Sequence, residues 1–226
     1  MTATWQTVVD SFNSLHNDAA DKALAYGARS LCMALSQMRK QNATKTINLA
    51  INDDRYDLGD DVVAVLYVHH YATATDILVL EETTIERLDL EDDAWRLDTS
   101  SDAGRPAKYA IEGVTDGAKS AKAELVFRPI PGTAFGGTYP HVKVGYVKYE
   151  VPVAGTVIPP FFSDFEVLKA GMEWCYAGEY LSKEEKALAW DDFQFQIDRQ
   201  IAHARRMTPG VKKTYLPKGF GGRPLV

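Results

Sequence analysis

Two dense clusters of acidic residues are the first features of this sequence that could do chemistry. The segments NDDRYDLGDD (52–61) and DLEDDAW (89–95) each place several carboxylates within a few residues. Two carboxylates that share one cleft can act as acid and base on a glycosidic bond. A calcium loop of the EF-hand type needs a glycine at its sixth position, and Gly59 lies at the wrong spacing for it. The first cluster is therefore better explained as a solvated turn.

Other residues that commonly carry chemistry are scattered. His69 and His70 are neighbours in a predicted strand, so their side chains face opposite sides and cannot hold one metal ion together. Cys32 and Cys175 lie in apolar helical patterns outside any CxxC motif, which predicts reduced, buried thiols. GFGG (219–222) resembles a phosphate-binding loop in composition only. We expect no catalytic, metal or cofactor site, and an enzyme is the weaker hypothesis.

The charge is distributed unevenly along the 226 residues. The net charge is -6, yet the last 22 residues contain six basic side chains and no acid, so the preceding part is strongly acidic. A basic tail with aromatic residues could contact phosphates and stack on bases, or it could fold onto an acidic partner protein. An acidic body disfavours DNA as the ligand of the whole surface.

Hydrophobic periodicity predicts helices at both ends of the chain. We expect helices at about 3–16 and 19–39, a β lobe at about 44–152, and helices at about 163–181 and 182–207. These elements form a single domain (1–207), and residues 208–226 contain too much Gly and Pro for a helix and form an extended basic C-terminal arm. The predicted class is α+β, in which a helical bundle from the N- and C-terminal helices carries an inserted β-sheet or β-barrel-like lobe.

Local signals add detail to this outline. Ser163 with Glu166 and Ser182 with Glu185 both fit the capping box that starts a helix. In the last helix, Leu188, Trp190, Phe193, Ile197 and Ile201 form the predicted apolar stripe.

The stretch ELVFRPIPG (124–132) predicts a half-buried strand. Leu125 and Phe127 would point to one side, with Glu124 and Arg128 on the other. Pro129 and Pro131 cannot donate ladder hydrogen bonds, so pairing should end there.

No apolar run approaches the roughly 20 residues that span a bilayer, and the first residues lack the pattern of a secretory signal. We therefore expect the protein to be made and kept in a cytoplasm.

The order of several short motifs resembles one known family. YDLGDDVVAVLYV (56–68), LVLEETTIERLD (78–89), Trp95, GRPAKY (104–109), LVFRPIPG (125–132) and VGYVKYEVP (144–152) precede the two closing helices. In this order, the set looks like the head-to-tail adaptor (connector) proteins of short-tailed and related tailed bacteriophages.

This resemblance implies a virion structural protein. Such adaptors assemble in the bacterial host cytoplasm as a dodecameric homo-oligomeric ring between the portal protein and the tail nozzle protein. Genomic DNA passes through the ring without sequence-specific binding. The family has no catalytic residues to carry over, and its members reach the portal through their C-terminal segment, although here that segment is Gly/Pro-rich and basic.

Two sets of residues follow as candidate contacts. The expected portal-contact residues are Arg205, Arg206, Lys212, Lys213, Tyr215, Lys218, Phe220 and Arg223. The expected lining of the DNA channel is Asp53, Asp54, Asp57, Asp60, Asp61, Asp89, Glu91, Asp92 and Asp93. The alternatives are a carbohydrate-active or other hydrolytic protein that uses the acidic clusters, and a DNA-binding accessory protein.

Overall fold

The computed structural model describes residues 3–51, 53, 55–91, 103–115, 121–132 and 141–207. Within these ranges the chain is mixed α+β, as predicted. The helices are α1 (Trp5–Asn13), α2 (Ala23–Met38), α3 (Ile85–Glu91), α4 (Glu166–Tyr180) and α5 (Lys183–Met207), and a 3-10 helix (Asn17–Lys22) precedes α2. The strands are β1 (Ala43–Asn48), β2 (Arg55–Gly59), β3 (Val62–Tyr71), β4 (Ile77–Val79), β5 (Glu81–Glu82), β6 (Ala103–Gly104), β7 (Lys108–Thr115), β8 (Ala121–Arg128), β9 (Ile130–Pro131) and β10 (His141–Lys148).

The strands form two four-stranded sheets and one short pair. The first sheet has the order β1-β10-β3-β4, and all of its neighbours are antiparallel. The second has the order β2-β8-β7-β5, in which only the β5–β7 pair is parallel. The pair β6–β9 is parallel and joins Ala103–Gly104 to Ile130–Pro131.

The two large sheets contribute to one apolar core. Val68, Val142 and Val144 of the first sheet are fully buried in the same cluster as Leu125 and Phe127 of the second. The ring of Tyr56 lies 5.4 Å from that of Phe127, which places β2 at this core as well. Alternate residues of these strands therefore point inward, as the pleat requires.

A second core joins the helices from both ends of the chain. Phe12 of α1, Leu35 of α2, Leu168 of α4 and Phe193 of α5 are all buried in it. Val147 of β10 belongs to the same cluster, so this core also reaches the first sheet. Each helix buries one stripe, which is the usual source of helix stability in a folded protein.

Helices α2 and α4 approach each other closely in the helical core. The Ser30 hydroxyl donates a 2.8 Å hydrogen bond to the carbonyl of Leu168, and Ser30 is fully buried. A Cβ atom added at Gly171 would collide with the Ser30 side chain and with the Phe193 ring. Only glycine permits this spacing, because every other residue carries that atom.

One of the two predicted capping boxes is confirmed. The Ser182 hydroxyl accepts from the backbone N–H of Glu185 (3.3 Å), and the Glu185 carboxylate accepts from the Ser182 N–H (3.0 Å). The Ser163 box is wrong. Ser163 instead bonds the side-chain oxygen of Gln200 on α5, and Asp164 accepts from the Glu166 N–H. The Ser163 hydroxyl, which the local sequence pattern assigned to the helix cap, is instead used in a tertiary hydrogen bond.

The half-buried interpretation of β8 is also wrong. Leu125 and Phe127 are buried between the sheets as predicted, but Val126 and Arg128 are buried on the other side. Leu88 of α3 packs against Val126 and Ala110, so a helix covers this face of the strand. The ladder with β7 does end at Arg128, after which Ile130–Pro131 pairs with Ala103–Gly104.

We predict that Gly171→Ala lowers the free energy of unfolding by about 1–3 kcal/mol, the usual cost of overpacking a core. The added methyl group must displace Ser30 or Phe193 from the α2–α4 contact. Thermal unfolding followed by circular dichroism measures the effect. Gly155→Ala is the matched control, because a Cβ atom there meets nothing within 4 Å. Equal melting temperatures for the two variants would contradict the close-packing account.

Candidate functional site

The outward face of the second sheet collects acidic side chains. Arg55 contacts the carboxylates of Glu112 and Glu124, which places all three on the face opposite the Tyr56 ring. Asp57 is two residues from Arg55 and directly opposite Glu124 on β8, so alternation puts it on the same face. Three carboxylates and one arginine thus share this face.

Helix α3 adds further acids to the same face. Leu88 anchors this helix by packing on Ala110 of β7 and Val126 of β8. These two residues lie two positions from Glu112 and Glu124 in their strands and therefore on the same face of the sheet. Asp89 and Glu91 are exposed on this helix. We call the set Asp57, Asp89, Glu91, Glu112 and Glu124 the acidic face.

Cations partly balance the acidic face. Lys108 of β7 contacts Glu91 at 2.6 Å, and Arg87 contacts the same carboxylate at 3.2 Å. The hydrogen bond from Lys108 is the main reason that the pKa of Glu91 lies below its usual value. Asp57 and Asp89 are exposed on the same face.

The predicted channel residues are only partly brought together. Asp57, Asp89 and Glu91 belong to the acidic face, whereas Asp53 and Asp60 are exposed just before and just after β2. Asp61 is half-buried and lies 3.5 Å from Lys148 at the end of β10. Asp54, Asp92 and Asp93 lie outside the described residues. Glu112 and Glu124 were missed, although their place in two strands next to each other could have indicated them.

Two of the predicted portal-contact residues fall within the part of the chain that the structure describes. Arg205 is exposed in the last turns of α5, and Arg206 follows it in the same helix. Lys212, Lys213, Tyr215, Lys218, Phe220 and Arg223 lie outside the described residues.

A cavity of about 440 Å³ opens beside the helical core, and sequence reasoning missed it. Cys32 and Met33 of α2 line it together with Trp174 and Cys175 of α4. Both cysteines are free and buried, which confirms the prediction of reduced thiols, and burial raises the pKa of each to about 11. They therefore remain protonated and weakly reactive at neutral pH. We call this cavity the thiol-lined pocket.

Glu179 and Arg29 of the pocket lining belong to a charged network. The Glu179 carboxylate accepts from Lys22 (2.8 Å), from the Tyr26 hydroxyl (2.9 Å) and from Arg29 (3.3 Å). The hydrogen bond from Lys22 is the largest cause that lowers the pKa of Glu179. The remaining cation of the lining, Lys186 of α5, lies 5.6 Å from the centre of the Trp174 ring.

The neighbouring histidines have different surroundings. His70 is fully buried, and the Arg105 Nε donates to its Nδ1 at 3.3 Å while Arg105 also pairs with Asp76. Burial lowers the pKa of His70 to about 4, so the ring is neutral near pH 7. His69 is half-buried beside the Tyr67 ring. No group of three or more potential metal ligands occurs among the residues described by the structure.

No family model matches the chain, and no curated protein matches it. None of the described helices combines the length and apolar character that crossing a membrane requires.

We predict that Glu179→Gln makes the thermal stability of the protein less dependent on pH in the acidic range. Because the folded-state pKa of Glu179 is lowered, its ionised form stabilises the fold above the ordinary carboxyl pKa, and this contribution disappears as pH falls through the lowered value. The variant should melt below the wild type at neutral pH and lose less on acidification. Melting curves across that range test this, with Glu184→Gln on the exposed start of α5 as control. Parallel curves for wild type and Glu179→Gln would contradict it.

Proposed function

We propose that this protein is a head-to-tail adaptor of a tailed bacteriophage, which forms a ring between the portal protein and the tail nozzle protein. The observation that carries the proposal is the ordered set of motifs from YDLGDDVVAVLYV to VGYVKYEVP, followed by two helices. The role is one of binding in the virion, and it requires neither catalysis nor a cofactor.

The proposed architecture is a bundle of the terminal helices with an inserted β lobe. Side chains from α1, α2, α4 and α5 share one core, and the strands between α2 and α4 contribute to a second core of their own. In this arrangement the bundle acts as a body to which neighbours bind, and the lobe extends from it. The basic arm (208–226) starts where α5 ends.

In this proposal the acidic face lines the DNA channel. Asp57 on β2 and Asp89 on α3 are exposed there, and the packing of Leu88 on Ala110 and Val126 holds α3 against the same sheet. Negative side chains repel phosphates, so DNA can move through the ring without being retained. Asp53 and Asp60, which are also exposed, extend the negative charge along the loops beside β2.

The arm provides the test of portal binding. We expect deletion of residues 208–226 to abolish binding to the portal protein while the body stays folded, because these residues carry most of the basic side chains of the C-terminal end. Co-sedimentation with the portal protein and electron microscopy of the mixture measure binding. A variant with Lys212, Lys213, Lys218 and Arg223 replaced by glutamine separates the effect of charge from that of length. Normal head-to-tail joining by the truncated protein would count against the docking role of the arm.

The acidic face provides a second test. We expect Asp57→Lys combined with Asp89→Lys to make the assembled ring retain double-stranded DNA, and the retention should weaken steeply as salt is added. The matched control is Asp10→Lys with Asp21→Lys, which makes the same charge change on exposed positions of α1 and of the 3-10 helix before α2. Retention on immobilised DNA across a salt series measures the difference. Equal retention by both double variants would contradict a channel position for the acidic face.

A further inference from the structure

Helix α5 carries large apolar side chains on the side that faces away from the helical core. Leu188 was predicted to lie in the buried stripe, but it is 69% exposed, and Phe195 is 63% exposed. The two are seven residues apart and therefore lie above one another on the same side of the helix. Phe193 and Ile197, which point into the core, are fully or almost fully buried.

Acidic residues alternate with these two apolar side chains. Five exposed residues follow one another along this side of the helix at intervals of three or four positions: Glu184, Leu188, Asp191, Phe195 and Asp198. We call this stripe the α5 ridge. It presents two apolar side chains between three carboxylates.

The thiol-lined pocket has complementary properties. Its floor and walls are mainly apolar, with Trp174 and Met33 among them, and two partly exposed apolar residues, Val63 and Tyr149, continue the apolar surface at its margin. Glu179 is the carboxylate of the lining, and it is already bonded to Lys22 and Arg29. A volume of about 440 Å³ lies within the range of pockets that bind small ligands, which is roughly 300–1,000 Å³, and is adequate for aromatic and aliphatic side chains.

The ridge and the pocket lie on different sides of α5. Lys186 lines the pocket, and it belongs to the same helical stripe as Trp190 and Phe193, which point toward the core. Leu188 follows Lys186 by two residues, and Phe195 follows Phe193 by two, so each is rotated by about 200° from that stripe at 3.6 residues per turn. A ridge therefore cannot enter the pocket of its own molecule.

We propose that the α5 ridge of one copy of this chain docks into the thiol-lined pocket of the next copy. The contact is heterologous, since two different surfaces meet, and repeated contacts of this kind close into a ring when the rotation per subunit fits. Phe195 and Leu188 fill the apolar cavity, and the ridge carboxylates approach Arg29 and Lys186. The inference rests on the proposed ring and names the surfaces that join its subunits.

The native pocket thiols allow a direct test by cross-linking. We expect full-length Phe195→Cys, treated with the thiol oxidant diamide at alkaline pH so that more of the pocket thiols ionise, to form a ladder of dimers and larger species. Peptide mapping should then join residue 195 of one copy to Cys175 or Cys32 of another. The test is made on the chain alone and on the chain mixed with its portal protein, so that assembly which requires the portal is included.

Two controls define the result. Leu15→Cys places an equally exposed thiol, at a site that is 62% exposed, outside both surfaces and should form no ladder. The triple variant Phe195→Cys, Cys32→Ala and Cys175→Ala should not form the ladder, because the pocket thiols are absent. Links between two copies of residue 195, or absence of any 195-to-pocket link with and without the portal protein, would overturn the proposal.

A second measurement separates this inference from the proposed function. Phe195→Asp should weaken self-association at least tenfold in analytical ultracentrifugation, while its melting curve stays close to that of the wild type because the side chain is exposed. Wild-type rings on the portal that persist unchanged in Phe195→Asp would overturn the inference alone. A pocket-mapped ladder from a chain that never binds the portal would overturn the proposed function alone.

Discussion

The contact between α2 and α4 is the constraint on which the rest of the structure depends. It joins segments 138 residues apart through the buried hydrogen bond from Ser30 to Leu168, and Gly171 makes the approach sterically feasible. Closing so long a segment costs conformational entropy, which the burial of apolar side chains from four helices must offset. Once the two helices are together, the strands between them have their ends fixed in space.

The same contact creates the two surfaces that we propose to join neighbouring subunits. Glu179 of α4 binds Lys22, Tyr26 and Arg29 across the seam with the N-terminal segment, beside the thiol-lined pocket. Helix α5 packs on α4 through a narrow stripe around Phe193, which leaves Leu188 and Phe195 exposed. Pocket and ridge are thus consequences of how the terminal helices pack.

Local patterns in the sequence predicted much of the secondary structure. The Ser182–Glu185 box could be recognised because all of its bonds lie within four consecutive residues. The hydrogen bond of Ser163 could not be predicted in this way, because its partner Gln200 is 37 residues away. The burial of Val126 depends on α3, which reaches β8 only in the folded state, and alternation along one strand carries no information about such a cover.

The acidic clusters show the same limit. Their composition and exposure could be predicted from the sequence. The sequence could not show that Asp57 and α3 share one face of the sheet with Glu112 and Glu124. Nor could the periodicity of α5 show which apolar residues the core would leave out. A wide apolar stripe predicts a buried helix, whereas α4 and α2 together cover only part of that stripe.

The most direct test of the account is a cryo-electron microscopy map of this protein assembled on its portal. The account predicts a closed ring with the acidic face turned toward the bore and the terminal helices of adjacent subunits in contact. A map in which the acidic face lies on the outer wall, or in which no ring forms on the portal, would contradict it.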